Sequence, residues 1–427
     1  MSNIQNIEIK KIRVFPELYP RDQIDTEQVN LYRLNLEKLP PILLNQDFIL
    51  IDGAHRLQAY EVAQKTTIPA EIKDIPKDQI FIEAIRYNAM HGKQLSREEK
   101  AKLIRKLYQI GMNEQELEGI FAVSTSTIQR FLKDIKEKQS EEQEQVILDL
   151  YLQCKTLDEV SEVIGVHKTT ISRSLEKLQN GQLTEMQSSL IPESLQLTDN
   201  WKFGTPDPRY GTPSYPGRAS GQAIENFLYY CTNPFDIVVD PMAGGGTTGD
   251  VCKAMYRRCL MYDLHPLKSR PDILQHDITT GFPKKVTQPH FKPQAIFLDP
   301  PYWQMKNEDY KTGSVSDLDR EGFMRFIQKL VSDSYQVLQE KGYLGFLFQD
   351  SYRGFKGIYK AVTKPLFTAE LFPYFLDVGF EPVYWITYPL SLHIQYNATK
   401  TQLAKDNKIL LHVLLHFLIF QKTGFEK

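Results

Sequence analysis

The sequence predicts an α/β protein: a doubly wound, mostly parallel sheet in the C-terminal half, preceded by a small α+β region and a run of helices. Three observations carry this reading. After Trp201, apolar strand-like runs alternate with helical stretches, as in "FDIVVDPMAGGGTTGDVCKAM", "RRCLMYDLHP", "QAIFLDPPYW" and "KGYLGFLFQD". Before Ser96, short alternating strands are interleaved with helices, as in "IEIKKIRVF" and "FILIDGAHRLQAYEVAQ". Between the two regions, apolar residues recur at helical spacing behind capping residues.

Residues 1–90 form the first predicted domain, with "IPAEIKDI" as a further strand. At Ser96 a capping box with Glu99 opens a helix, because each side chain can satisfy the other's free backbone N–H. Two helix-turn-helix units follow, over residues 91–138 and 139–185. The first is "MNEQELEGIFAVSTSTIQRFLKDI", with its second helix expected near Ser124; the second is "TLDEVSEVIGVHKTTISRSLEKL", with Gly165 in the turn. The charged "KEKQSEEQEQ" between them suits a linker or a solvated helix start. Residues 186–200 are polar and aperiodic and are expected to link to the main domain, 201–427. Near its end, "ILLHVLLHFLIF" is too short to span a bilayer and reads as a buried strand or helix.

A chain of 427 residues is long enough for two to four domains. Its net charge of −2 excludes a polycation, so nucleic-acid binding would rest on local basic surfaces. The four cysteines contain no Cys-x-x-Cys pair, so neither a zinc site nor a disulfide framework is expected, and a reducing cytoplasm suits them. The N-terminus lacks the apolar core of a secretion signal.

Chemistry concentrates at the predicted strand ends. Asp240 is followed by Gly244, Gly245 and Gly246, which would let a ligand approach the backbone at a helix N-terminus. The same pattern also serves a tight strand-to-helix turn, and it matches neither a P-loop nor a strict dinucleotide fingerprint. Asp263 closes the next strand, where a ribose diol is usually held, and Asp277 closes a third run. Three acids in register with a glycine loop favour an adenosine-bearing ligand. Asp299 ends the strand "AIFL", and Pro300 and Pro301 stiffen the loop and leave carbonyl acceptors. A carboxylate and a carbonyl can grip one exocyclic amine, while Tyr302 offers a face for an extruded base. Taken alone, this motif would equally describe a proline-stiffened turn with a half-buried tyrosine.

These motifs together resemble the amino-methyltransferases of DNA, which methylate adenine N6 or cytosine N4 with S-adenosylmethionine. "DPMAGGGTT" is similar to the family's cofactor motif, "DPPY" to its catalytic motif, and "PGRASGQAIENFLYYC" to the segment before the cofactor loop. The resemblance implies a Rossmann-like methyltransferase sheet over residues 201–427. It places Asp240, Met242, Gly244 and Gly246 around the cofactor, with Asp263 on its ribose and Asp277 on its adenine amine. Asp299 and the Pro300 carbonyl would hold the target amine and Tyr302 would stack on the base; aspartate rather than serine at 299 favours adenine. Met242 stands where the family usually has phenylalanine.

The N-terminal "LIDGAHRLQAYEVA" is similar to the nucleotide-binding box of ParB-like domains, although Gly53-Ala54-His55-Arg56 keeps only the glycine and one arginine of the usual pattern. Arg56 could bind a phosphate at a helix start; the plain alternative is a structural turn. The DNA-reading candidates are Gln129 and Arg130 in the first helix-turn-helix, and Lys168, Thr169 and Arg173 in the second. The expected partners are therefore DNA, a nucleotide at Arg56 and a second copy of the chain, with no membrane. The layout fits a modification enzyme of a phage or mobile element. Methylation of cytosine N4, an RNA base amine as substrate, or a ParB-like DNA-binding regulator with an inactive methyltransferase domain are the competing readings.

Overall fold

The structure is a computed structural model that describes residues 4–15, 24–77, 79–90, 95–179, 191–203, 207–301, 315–348, 367–389 and 414–424. The chain forms two compact units, Met1–Gln143 and Glu144–Lys427. Among the described residues, no helix is long and apolar enough to cross a membrane.

In the first unit, strands β1 (Ile4–Glu8), β2 (Ile42–Asn45), β3 (Leu50–Asp52) and β4 (Thr67–Lys73) make a sheet in the order β1-β4-β2-β3. Helices α1 (Thr26–Arg33) and α2 (Ala54–Val62) accompany it, and its core includes Ile42, Leu44, Leu57 and Ile68. Helix α3 (Ile80–Met90) leads to α4 (Arg97–Gln109), whose Ser96–Glu99 capping box forms as the sequence predicts. The first helix-turn-helix joins α5 (Glu114–Phe121) to α6 (Thr125–Leu152) through Ala122, which adopts the left-handed conformation. Leu117, Ile120, Phe121, Ile128 and Leu132 close its core. The charged "KEKQSEEQEQ" stretch is the middle of α6: Glu, Lys and Gln favour a solvated helix, and neither Gly nor Pro interrupts it.

The second unit begins inside α6 and includes the second helix-turn-helix, α7 (Leu157–Ile164) and α8 (Lys168–Lys177). Gly165 caps α7 in the left-handed conformation, and the Ser161 hydroxyl donates to the Val166 carbonyl at 2.8 Å, fixing the turn. Residues 191–203, within and beyond the expected linker, lie against the large-sheet core. Ser194 and Gln196 hydrogen-bond Glu225 and Asn226 of α9 (Gly221–Cys231), and Trp201 N–H donates to the Thr387 carbonyl.

The large sheet contains β5 (Ile237–Asp240), β6 (Arg258–Asp263), β7 (Ile273–Gln275), β8 (Ala295–Leu298), β9 (Tyr343–Phe348), β10 (Phe380–Pro389) and β11 (Leu414–Lys422). Their order is β10-β11-β9-β8-β5-β6-β7. All pairings are parallel except those of β11 with β9 and with β10, so this is the expected Rossmann-like sheet with one reversed strand. Along β8, Ile296 and Leu298 join the core on one face, while Ala295 and Phe297 join that on the other. Burial on both faces explains why these strands read as continuous apolar runs. Helices α10 (Thr247–Ala254), α11 (Arg320–Val337) and α12 (Phe367–Val378) complete the described elements around this sheet.

Arg257, just before β6, is buried and anchors α9 to the sheet. Its Nε donates to Thr232 Oγ1 at 3.0 Å, Nη1 to the Met255 carbonyl at 2.6 Å, and Nη2 to the Thr232 carbonyl at 2.9 Å. Arg257→Ala leaves these acceptors without their donor and is expected to destabilise the unit by about 2–4 kcal/mol, read from urea unfolding. A substitution neutral to stability would contradict this account.

Candidate functional site

Strands β5 and β8 are neighbours, yet the chain leaves β5 toward β6 and β7 and returns to β8 on the other side. Such a switch point opens a crevice at the carboxyl ends of the strands. Val239 pairs with Ile296, so Asp240, which ends β5, and Asp299, just beyond β8, flank that crevice.

Asp240 is buried. Its Oδ1 accepts from Met242 N–H at 3.0 Å and its Oδ2 from the Thr248 hydroxyl at 2.6 Å. Burial pushes its carboxyl up to about 7, against the lowering effect of these two donors. Met242 packs half-buried against the core. Gly244 and Gly246 both have positive φ, 51° and 82°, and Gly246 caps α10. At Gly244 a Cβ would meet Tyr215 Cε1 at 2.7 Å, so glycine is also required by close approach.

Asp263 reaches the same loop: its Oδ2 accepts from Gly244 N–H at 2.9 Å and its Oδ1 from His265 N–H at 2.8 Å. Asp277 lies next to it, because His276 N–H donates to the Asp263 carbonyl at 2.9 Å. Its Oδ1 caps a short turn, accepting from the Thr279 N–H and hydroxyl. The structure thus brings Asp240, Met242, Gly244, Gly246, Asp263 and Asp277 together at one edge of the sheet. Asp299 is half-buried and Pro300 buried; Tyr302 lies outside the described residues.

Three contributors escaped the sequence reading. Tyr215 lays its ring on Gly244 and Gly245; burial, then the charges of Asp263, Asp299 and Asp240, push its phenol up to about 12. Thr212 bonds the Gly245 carbonyl through its N–H and hydroxyl. Arg270 donates to the Gly245 and Gly246 carbonyls and pairs with Asp250 and Asp272. Arg270 and Thr212 thus fix the loop from two sides. None of the three lies in a recognisable motif. The nearest signal is that Thr212 and Tyr215 immediately precede the Pro216–Cys231 segment.

The helix-turn-helix candidates differ in their engagement. Gln129 hydrogen-bonds Glu114, Arg130 lies over the Phe131 ring, and Lys168 pairs with Asp158. The Thr169 hydroxyl meets His167 Nδ1 at 2.9 Å, and Arg173 is exposed on α8. The second helix-turn-helix is held to the core of the large sheet by its own contacts. Arg258 lies over Tyr151 at 4.2 Å, Tyr151 meets Phe235, Lys253 pairs with Asp149, and Cys154 is buried in the core cluster of the sheet. In the first unit, Arg56 donates to the Pro40 and Pro41 carbonyls and pairs with Asp52, while His55 Nε2 accepts from Asp25 N–H. A phosphate at Arg56 would have to compete with these bonds. Among the described residues, no group of acids, histidines and cysteines is arranged to hold a metal.

Comparison with known proteins agrees with the resemblance read from the motifs. The family model of N6/N4 methylases, described as DNA methylase, matches residues 83–268. The match takes in the glycine loop and Asp263 and stops before Asp299. No curated protein matches the chain. Similar solved structures include the chromosome-partitioning protein ParB from Caulobacter crescentus, solved with CTP-γ-S, at 18% identity over 32% of this chain and 83% of that one, with a TM-score of 0.20. A Thermus thermophilus protein described as a putative DNA modification methylase is 18% identical over 35% of this chain and 50% of its own, with a TM-score of 0.22. A SAM-dependent methyltransferase from Archaeoglobus fulgidus is 14% identical over 47% and 92%, with a TM-score of 0.30.

The raised Asp240 carboxyl has a measurable sign. The folded state holds this proton more tightly than the unfolded chain, so its contribution to stability is complete below the ordinary value of 3.8 and is lost as pH rises to about 7. In Asp240→Asn that contribution is absent. The difference in unfolding midpoint between wild type and variant should therefore change across this window; a constant difference would refute the burial argument.

Proposed function

We propose that the protein is a DNA methyltransferase that moves a methyl group from S-adenosylmethionine to an exocyclic base amine, adenine N6 before cytosine N4. The observation that carries this reading is the meeting of the Asp240 glycine loop with Asp299-Pro300 across one switch point.

The donor set fits that cofactor. The two oxygens of Asp263 each accept one N–H and keep a second lone pair for a ribose hydroxyl. Asp277 stands beside it for an adenine amine, and Asp240, Met242 and the glycines border the methionine end. S-adenosylmethionine, when bound, supplies an electrophilic methyl group on a sulfonium. Asp299 and the Pro300 carbonyl accept the two N–H bonds of the target amine and draw its lone pair out of conjugation with the ring. Held this way, the nitrogen would be aimed in line at that methyl group, and the surplus proton of the amine would leave to water. No covalent enzyme intermediate is needed; positioning and electrostatics supply the rate. Tyr302 stacks on the base in this reading. Helix α8 docks DNA through Lys168, Thr169 and Arg173, with Gln129 and Arg130 as further contacts. A nucleotide at Arg56 and a homodimer complete the proposed partners.

Asp299→Ala should abolish methyl transfer to DNA and leave cofactor binding by calorimetry intact; an active variant removes the mechanism. Sequencing host DNA for both modified bases identifies the target amine. Arg173→Ala should weaken DNA binding and lower the slope of log affinity against log salt by about 1. Unchanged binding would make the second helix-turn-helix an adaptor.

A further inference from the structure

Tyr388 sits near the end of β10 and is only 4% exposed, yet its hydroxyl is buried with no hydrogen-bond partner among the described residues. An orphan hydroxyl of this kind costs about 1–3 kcal/mol. The ring is firmly held. It meets Phe203 edge-on at 5.8 Å, and the backbone of the preceding Thr387 is bonded on both sides, to Trp201 N–H and to the Asp199 carbonyl. The side chain is therefore a fixed object rather than one in search of a partner.

Its place in the sheet is informative. Strand β11 reverses twice, against β9 and against β10, so β10 runs in the same direction as β8. The residues in one row across the strands are Leu298, Phe346, Leu418 and Trp385. Asp299 is one residue past that row and Tyr388 three, so both stand at the edge where the crevice opens. Tyr388 also shares its core cluster with Phe297, two residues before Asp299, and with Leu347 and Phe417 of the intervening strands. Burial, and then the charge of Asp299, raise the Tyr388 phenol above its ordinary value. The hydroxyl therefore stays protonated at neutral pH and can act only as a donor toward a carboxylate.

We infer that Tyr388 is a positioning residue whose hydroxyl donates a hydrogen bond to the Asp299 carboxylate once DNA is loaded, orienting the oxygen that receives the target amine. The inference rests on the reading of Asp299 as the grip on that amine. It explains why a tyrosine rather than a phenylalanine is buried at this point, where phenylalanine would pack equally well.

The test is Tyr388→Phe in the full chain, with unmethylated genomic DNA as substrate and methyl-labelled S-adenosylmethionine as donor. The expected result is a kcat about tenfold lower. Cofactor affinity and KM for DNA should be unchanged, and the thermal midpoint should be equal or higher because the orphan hydroxyl is gone. An unchanged kcat overturns the inference. So does a lower kcat accompanied by a lower midpoint and weaker cofactor binding, which would make the hydroxyl structural. If the wild type itself transfers no methyl group, the functional reading fails first; if the wild type is active and Tyr388→Phe matches it, the role of Tyr388 alone fails.

Discussion

Two adjacent parallel strands whose connections depart in opposite directions cannot both be covered by the same loop. At the β5–β8 pair such a switch point sets a crevice at the carboxyl edge, and Asp240, the glycine loop, Asp263, Asp277 and Asp299 gather there. Asp240 is forced inward by the burial of β5, so its carboxylate must be satisfied by the loop that follows. That requirement bends the chain back through Met242, brings Gly244 under Asp263, and points α10 at the gap. Asp299, one strand over, faces the same opening.

How much of this could be read in advance follows from distance along the chain. The glycine loop, the acids at the strand ends and the Asp-Pro-Pro run are local patterns. Their chemistry is set by neighbours in sequence, and the structure gathers the strand-end acids and the glycines at one edge. Tyr215 and Arg270 act on the loop through tertiary contact, and Tyr388 is placed by it; nothing around them in sequence distinguishes them from other aromatic or basic residues. The run "ILLHVLLHFLIF" was open between strand and helix for a related reason. Its second part is β11, which pairs with a strand on each side, so its apolar residues show no alternation.

The charged stretch before the second helix-turn-helix illustrates the opposite case. Its composition allows a linker or a helix, and what decides is continuity: α6 carries its hydrogen-bond ladder straight through, with apolar anchors at both ends, Ile128 and Leu132 in the first unit and Ile147 and Leu148 in the second. The expected linker 186–200 holds a similar lesson. Its latter part bonds the buried Glu225 and Asn226 of α9 through the Ser194 hydroxyl and the Gln196 N–H, so lack of periodicity there does not mean absence of contact.

The clasp of Arg258 on Tyr151, with Cys154 sunk into the sheet's own core, means that α7 and α8 are carried as a fixed arm of the second unit. A rigid arm works as a ruler. On the proposed reading, bases held by Arg173 would lie at a constant count of nucleotides from the base presented to Asp299, and changing what the arm reads would relabel the site without altering that count.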